Sequence, residues 1–145
     1  MKTLPTRIGV ALLGGMLTAA VAGACYAQDG GTECSRNAET TAEMQSCADE
    51  ALGQVDSQMN GAYQALIERL EPAGVERLRR AQRAWVAFRD SECAFRGLAT
   101  EGGTMNPVVI TECLAGLTAS RLDQFEIYLT CEEGDLACPP LAPLE

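Results

Sequence analysis

Residues 93–113 read CAFRGLATEGGTMNPVVITEC, and the fold turns on them. Gly102 and Gly103 end whatever helix precedes them, because residues without a side chain favour a cap and a turn over another helical turn. Asn106 and Pro107 follow as an N-cap and first-turn pair, so a new helix opens there. Cys93 and Cys113 each stand ten residues from Gly103. On antiparallel arms, positions equally far from the turn lie side by side, so a Cys93–Cys113 disulfide joins the arms. Val108, Val109 and Ile110 also fit a short strand, but the cap signals favour helix.

Toward the N-terminus, Thr40 and Glu43 form a capping-box pair ahead of Met44, Cys47, Ala51, Val55, Met59, Ala62, Leu66 and Leu70. Every step in that series is three or four residues, which is one face of a helix. Pro72 breaks it and suits the first turn of a second helix, whose inward face is expected to be Leu78, Ala81, Trp85, Phe88, Phe95 and Leu98, interrupted by Glu92. Beyond the Gly pair, Leu114, Leu117, Leu122, Phe125 and Leu129 face inward on a third. Short connections make consecutive helices antiparallel. The expected fold is all-α, a three-helix up-down-up bundle braced by disulfides.

The remaining cysteines follow from that order. Cys34 precedes the first helix by a short polar segment that can fold back onto Cys47. Cys131 ends the third helix, tens of ångströms from either at about 1.5 Å of rise per residue. Its partner is then Cys138. The expected set is Cys34–Cys47, Cys93–Cys113 and Cys131–Cys138, each closure contributing about 2–4 kcal/mol in the chain-entropy description.

That set leaves out the seventh cysteine, Cys25. Lys2 and Arg7 precede an uncharged, mostly apolar run from Ile8 to Ala22, then small residues: the order of an export signal, too short to span a bilayer. Cleavage after Ala27 removes Cys25 and frees Gln28. Ala22-Gly23-Ala24-Cys25 instead resembles a bacterial lipobox, in which Cys25 is lipidated, but a larger aliphatic residue usually stands where Ala22 does. Soluble export is favoured, periplasmic or secreted, with a lipid anchor in the envelope as the alternative; contact with membrane is expected only through Cys25. The organisation is thus a signal over 1–27, an N-terminal segment over 28–38, a helical domain over 39–131 and a Pro-rich tail over 132–145, expected to be extended or disordered.

Losing Lys2 and Arg7 and no acidic residue shifts the net charge from −9 to −11. Such a surface repels nucleic acid and anionic lipid and attracts a cationic partner. Arg77, Arg79, Arg80 and Arg83 form the positive run and are expected to bridge to acids on neighbouring turns.

Catalysis finds little support. The chain has no histidine, hence no ready base near neutral pH, no His-dependent triad and no His-containing zinc site. No CxxC occurs, and Asp49-Glu50 and Glu132-Glu133 are adjacent pairs rather than carboxylates on two walls of a cleft. No enzyme activity, cofactor or metal is expected. Asp56, Asn60 and Tyr63 share helical spacing on the first helix, as Gln82, Arg89 and Glu92 roughly do on the second. A first hairpin turning near Glu71-Pro72 sets Asp56 opposite Arg89 and Asn60 opposite Gln82. The second hairpin brings Arg121 level with Trp85, within cation–π reach. These residues fit either a polar cleft or a partly buried network that fixes helix register, and the network is the favoured reading.

The segment Ala81-Gln82-Arg83-Ala84-Trp85-Val86-Ala87-Phe88-Arg89-Asp90-Ser91-Glu92-Cys93 resembles the signature helix of the LprI-type lysozyme-inhibitor N-terminal domain family. Cys34, Cys47, Asp56 with Asn60 and Tyr63, Gly102-Gly103, Cys113-Leu114 and Leu117-Thr118 with Arg121 follow the same order, over about residues 34–126. The resemblance implies a small helical, exported or lipid-anchored bacterial protein that binds rather than catalyses. Its expected partner is a protein, a lysozyme-type muramidase, with a non-catalytic structural or accessory envelope role as the alternative. The Cys131–Cys138 pair departs from the family pattern. Glu101, Gly102, Gly103 and Thr104 are the candidate contact, because a protruding hairpin tip suits insertion into a cleft.

Overall fold

The computed structural model describes residues 34–132 and 134–142. The expected export signal over 1–27, Cys25 and Pro143 lie outside them. A single helical turn, α1, covers residues 34–37, and three long helices follow: α2 (Thr41–Arg69), α3 (Pro72–Arg96) and α4 (Asn106–Thr130). Three expected helices thus become four among the described residues. The Cys34 segment winds into a turn, with the Ala38 N–H donating to the Cys34 carbonyl at 3.1 Å.

Thr40 opens α2 as its N-cap. Its hydroxyl accepts from the Glu43 N–H at 3.2 Å, and the Glu43 carboxylate accepts from the Thr40 and Glu39 N–H groups at 2.8 and 2.9 Å. Those backbone donors hold the Glu43 carboxyl below its ordinary pKa. Pro72 stands in the first turn of α3, where its missing N–H costs nothing.

Side-chain ties fix the directions. The Gln45 amide donates to the Thr111 hydroxyl at 3.2 Å, and Arg69 reaches the Leu129 carbonyl at 3.1 Å, so α2 and α4 run parallel. Arg89 lies 4.0 Å from Asp56 while the Gln82 amide meets the Met59 sulfur at 3.6 Å, so α3 runs against both. Up-down-up order is therefore observed. The core is Met59, Leu66, Leu122 and Phe125, with Val55, Ala62, Tyr63, Leu78, Trp85 and Tyr128 packed around it.

Helix α3 corrects the expected inward face. Phe88, Phe95 and Leu98 are 55, 68 and 58% exposed, whereas Leu78 and Trp85 lie against the core and Cys93 is fully buried. The apolar series from Leu78 to Leu98 repeats about every 3.3 residues, short of the 3.6-residue helical turn. It therefore walks about 160° round the helix over its length, starting on the core and finishing in solvent.

The second connection differs as well. Helix α3 stops at Arg96, and a 3-10 turn over Gly97–Thr100 carries the chain on, so the Gly102-Gly103 pair shapes the loop rather than the helix end. Gly97 is required here, since a Cβ on it would sit 2.9 Å from Ile110 Cγ1. Asn106 is the first residue of α4, not its cap. Its side-chain amide donates to the Gly97 carbonyl at 2.8 Å and the Thr100 hydroxyl at 3.2 Å, which satisfies the 3-10 turn instead of α4.

Sulfur–sulfur bonds join Cys34 to Cys47, Cys93 to Cys113 and Cys131 to Cys138, with Cα separations of 5.6, 5.5 and 6.1 Å. The last of these turns the tail back, and its described residues 134–142 return to the bundle rather than extend away from it. Leu141 packs on the core, the Ala142 N–H donates to the Arg69 carbonyl at 2.9 Å, and the Arg69 Nε donates to the Ala142 carbonyl at 2.9 Å. Apolar Leu141 outweighs the tail's poor helix propensity because docking requires no helix.

Candidate functional site

Two groups of residues came from the sequence as candidates, and they occupy different places. The first is the polar set between the helices. Trp85 faces inward from α3 with Arg89 one turn on, its guanidinium carbon 5.2 Å from the indole centroid. Arg121 approaches the same indole from α4 at 5.8 Å and lies over the Phe125 ring at 4.5 Å. Its Nε donates to Gln82 Oε1 at 3.1 Å and its Nη1 to Gln124 Oε1 at 2.8 Å. Arg121 is only 9% exposed, and among the described residues no carboxylate comes within 4.0 Å of it. Burial pushes its pKa below the ordinary guanidinium value, yet a guanidinium keeps its charge in proteins. The π faces of Trp85 and Phe125 and two amide oxygens replace the missing counter-ion.

Arg89 binds differently. Its Nε and Nη2 reach the neighbouring Asp90 carboxylate at 3.0 and 2.9 Å, and its Nη1 donates to the fully buried Thr118 hydroxyl at 3.3 Å. Asp56 sits at the outer limit of ion pairing, 4.0 Å away. Asn60 does not meet Gln82: its amide donates along its own helix to Asp56 Oδ2 at 3.1 Å. Tyr63 joins no polar tie to this group and instead packs its ring 6.1 Å from Phe125, tilted by 43°. Register arithmetic set Gln82 opposite Asn60, and the structure places it one residue away, against Met59. Thr118, Gln124 and Asp90 were missed as participants. Thr118 and Gln124 stand three residues either side of Arg121 on one helix, which was the available signal.

This arrangement sets two guanidinium groups against carboxylates, amide oxygens, a hydroxyl and aromatic rings. Its polar atoms are spent on one another across α2, α3 and α4. Among the described residues no group of three or more carboxylates or cysteines is placed to hold a metal ion. Two cavities lie at the other end of the bundle. One of about 620 Å³ lies between Arg69, Tyr128 and the Cys131–Cys138 loop, and one of about 560 Å³ among Leu66, Leu70, Leu78 and Pro140.

The second group is the turn Glu101–Thr104, exposed throughout at the tip of the α3–α4 hairpin. Gly102 takes a φ of +76°, a region that favours glycine. Below the tip, the Glu101 N–H donates to the Leu98 carbonyl at 3.3 Å and the Gly103 N–H to the Thr100 carbonyl at 2.9 Å. With the Asn106 ties and the Cys93–Cys113 bond beneath, the turn projects from a braced base. The basic run of α3 is looser than expected. Arg79 pairs with Glu76 at 3.1 Å, while among the described residues Arg77, Arg80 and Arg83 have no carboxylate within 4.0 Å.

No helix among the described residues is long and apolar enough to cross a membrane. The family model described as "Lysozyme inhibitor LprI" matches residues 32–125, from ahead of Cys34 to Phe125 in the core. An uncharacterized protein of Rhizobium meliloti (strain 1021) is 30% identical over 111 residues, covering 68% of this chain and 80% of that protein. No solved structure matches.

Proposed function

The chain belongs to the LprI lysozyme-inhibitor family, and on that premise we propose that it is an exported binding module that occupies a cationic lysozyme-type muramidase. The family match over residues 32–125, which takes in α2, α3 and most of α4, carries this reading. The net charge of −9 supports it, since an acidic surface speeds encounter with a cationic enzyme. The turn Glu101–Thr104 is the element we assign to the enzyme's cleft: it is exposed, carries a carboxylate at its start, and stands on a braced base, so little ordering entropy is lost on insertion. Inhibition of this kind is steric and needs no catalytic group.

The test is the clearing of a cell-wall suspension by lysozyme with and without the purified, oxidised protein. Slower clearing that weakens as salt rises is the expected result. Undiminished clearing in low salt at a large molar excess overturns the proposal.

A further inference from the structure

Resting on that reading, we infer that the complex is anchored by an apolar patch beside the turn, formed by Phe88, Phe95 and Leu98. Large apolar side chains left singly in water are ordinary, as Ile127 and Leu136 are here. These three are grouped. Phe88 and Phe95 stand seven residues apart on α3, hence on one side of the helix about 10 Å apart. Leu98 follows within a turn, and Met105, 37% exposed, flanks the loop whose first residue bonds back to the Leu98 carbonyl. The patch therefore runs up one side of α3 to the base of Glu101–Thr104.

Charge selects the occupant. The patch lies at the end of the bundle where the first turns of α2 and α4 meet the last turns of α3, as the Gln45–Thr111 tie and the Cys93–Cys113 bond require. Residues 34–50 and 89–113, which build that end, hold eight carboxylates against three guanidinium groups. Of the bases of α3 with no carboxylate within 4.0 Å among the described residues, Arg77 and Arg80 stand toward its other end and Arg83 lies mid-helix, five residues before Phe88. A second copy of this chain docking patch to patch would press two acidic ends together, and an anionic lipid surface would be repelled in the same way. An apolar surface ringed by basic side chains fits. Aromatic side chains at the centre of an interface hold most of its binding energy, while rim charges chiefly set the rate of encounter. The turn would block the cleft, and the patch would hold the complex together.

The experiment compares the full protein with F88S/F95S, measuring association and dissociation rates on an immobilised cationic lysozyme and the sedimentation of each protein alone. Both side chains are exposed, so circular dichroism and the melting temperature should be unchanged; F95S alone replaces the pair if they are not. The expected result is dissociation faster by about tenfold or more with an association rate nearly unaltered. R77Q/R80Q, at the far end of α3, should leave dissociation unchanged. Wild-type binding with equal dissociation of F88S/F95S overturns the patch and leaves the inhibitor reading standing. Absence of wild-type binding overturns both. A wild-type dimer that F88S/F95S converts to monomer, with lysozyme dissociation unaltered, assigns the patch to self-association and overturns the inference.

Discussion

A buried guanidinium without a carboxylate depends on shape as much as on charge. Arg121 lies over the Phe125 ring, reaches Trp85 and fits its fork to two amide oxygens, a set of contacts that an ammonium group does not reproduce. Arg121→Lys should therefore lower stability by about 1–3 kcal/mol in urea unfolding, although charge is preserved. A double-mutant cycle of Arg121→Lys with Trp85→Leu should give a coupling of about 0.5–2 kcal/mol. Additive losses would mean that the indole contact contributes nothing of its own. Glu43 gives a second test at this scale. Its folded pKa is depressed by three local bonds, so its contribution is present above its unfolded pKa and is lost as pH falls through the lower folded value. Unfolding free energy measured from pH 6 downward should fall less steeply for Glu43→Gln than for the wild type below about pH 4.5.

Glycine means different things on different elements. Gly53 lies within α2 and a Cβ there meets nothing within 4 Å, so Gly53→Ala should raise stability by about 0.5–1 kcal/mol through helix propensity. Gly97 lets the 3-10 turn pass against α4, where a Cβ would come within 2.9 Å of Ile110 and 3.1 Å of the Asn106 amide. Gly97→Ala should cost about 1–3 kcal/mol, and thermal unfolding of the pair should show opposite shifts. That turn also explains why α3 and α4 sit in their observed register: the Asn106 amide holds the carbonyl at which α3 ends.

The whole molecule is bound at both ends by different means. At the end bearing the exposed turn, the Cys93–Cys113 bond closes 20 residues; at the other, Cys131–Cys138 closes seven and the tail then lies along the C-terminal turn of α2. The chain-entropy description assigns about 3 kcal/mol to the longer loop and somewhat less to the shorter. Replacing Cys93 and Cys113 by Ala should lower the melting temperature more than replacing Cys131 and Cys138. The second change should still register, because it frees Leu141 from the core. A Cys131→Ala/Cys138→Ala variant that melts with the wild type would mean the docked tail contributes no stability.

The sequence by itself determined the three long helices, their order and the pairing of the cysteines. Those depend on caps, breakers and spacing, which act within a few residues and need no knowledge of neighbours: Thr40 with Glu43, Pro72, and two cysteines equidistant from Gly103. It also brought Arg89 to Asp56 and Arg121 to Trp85, because antiparallel helices convert residue number into height. The tertiary structure alone decided what faces what. A series stepping slightly faster than the helix drifts off the core, so Phe88 and Phe95 were legible as apolar and not as exposed. Met59 rather than Asn60 meets Gln82 because the rotation of α2 about its axis is set by packing on α4. The docked tail was hidden for the same reason, since Leu141 finds its place only on a surface that α2, α3 and α4 assemble together.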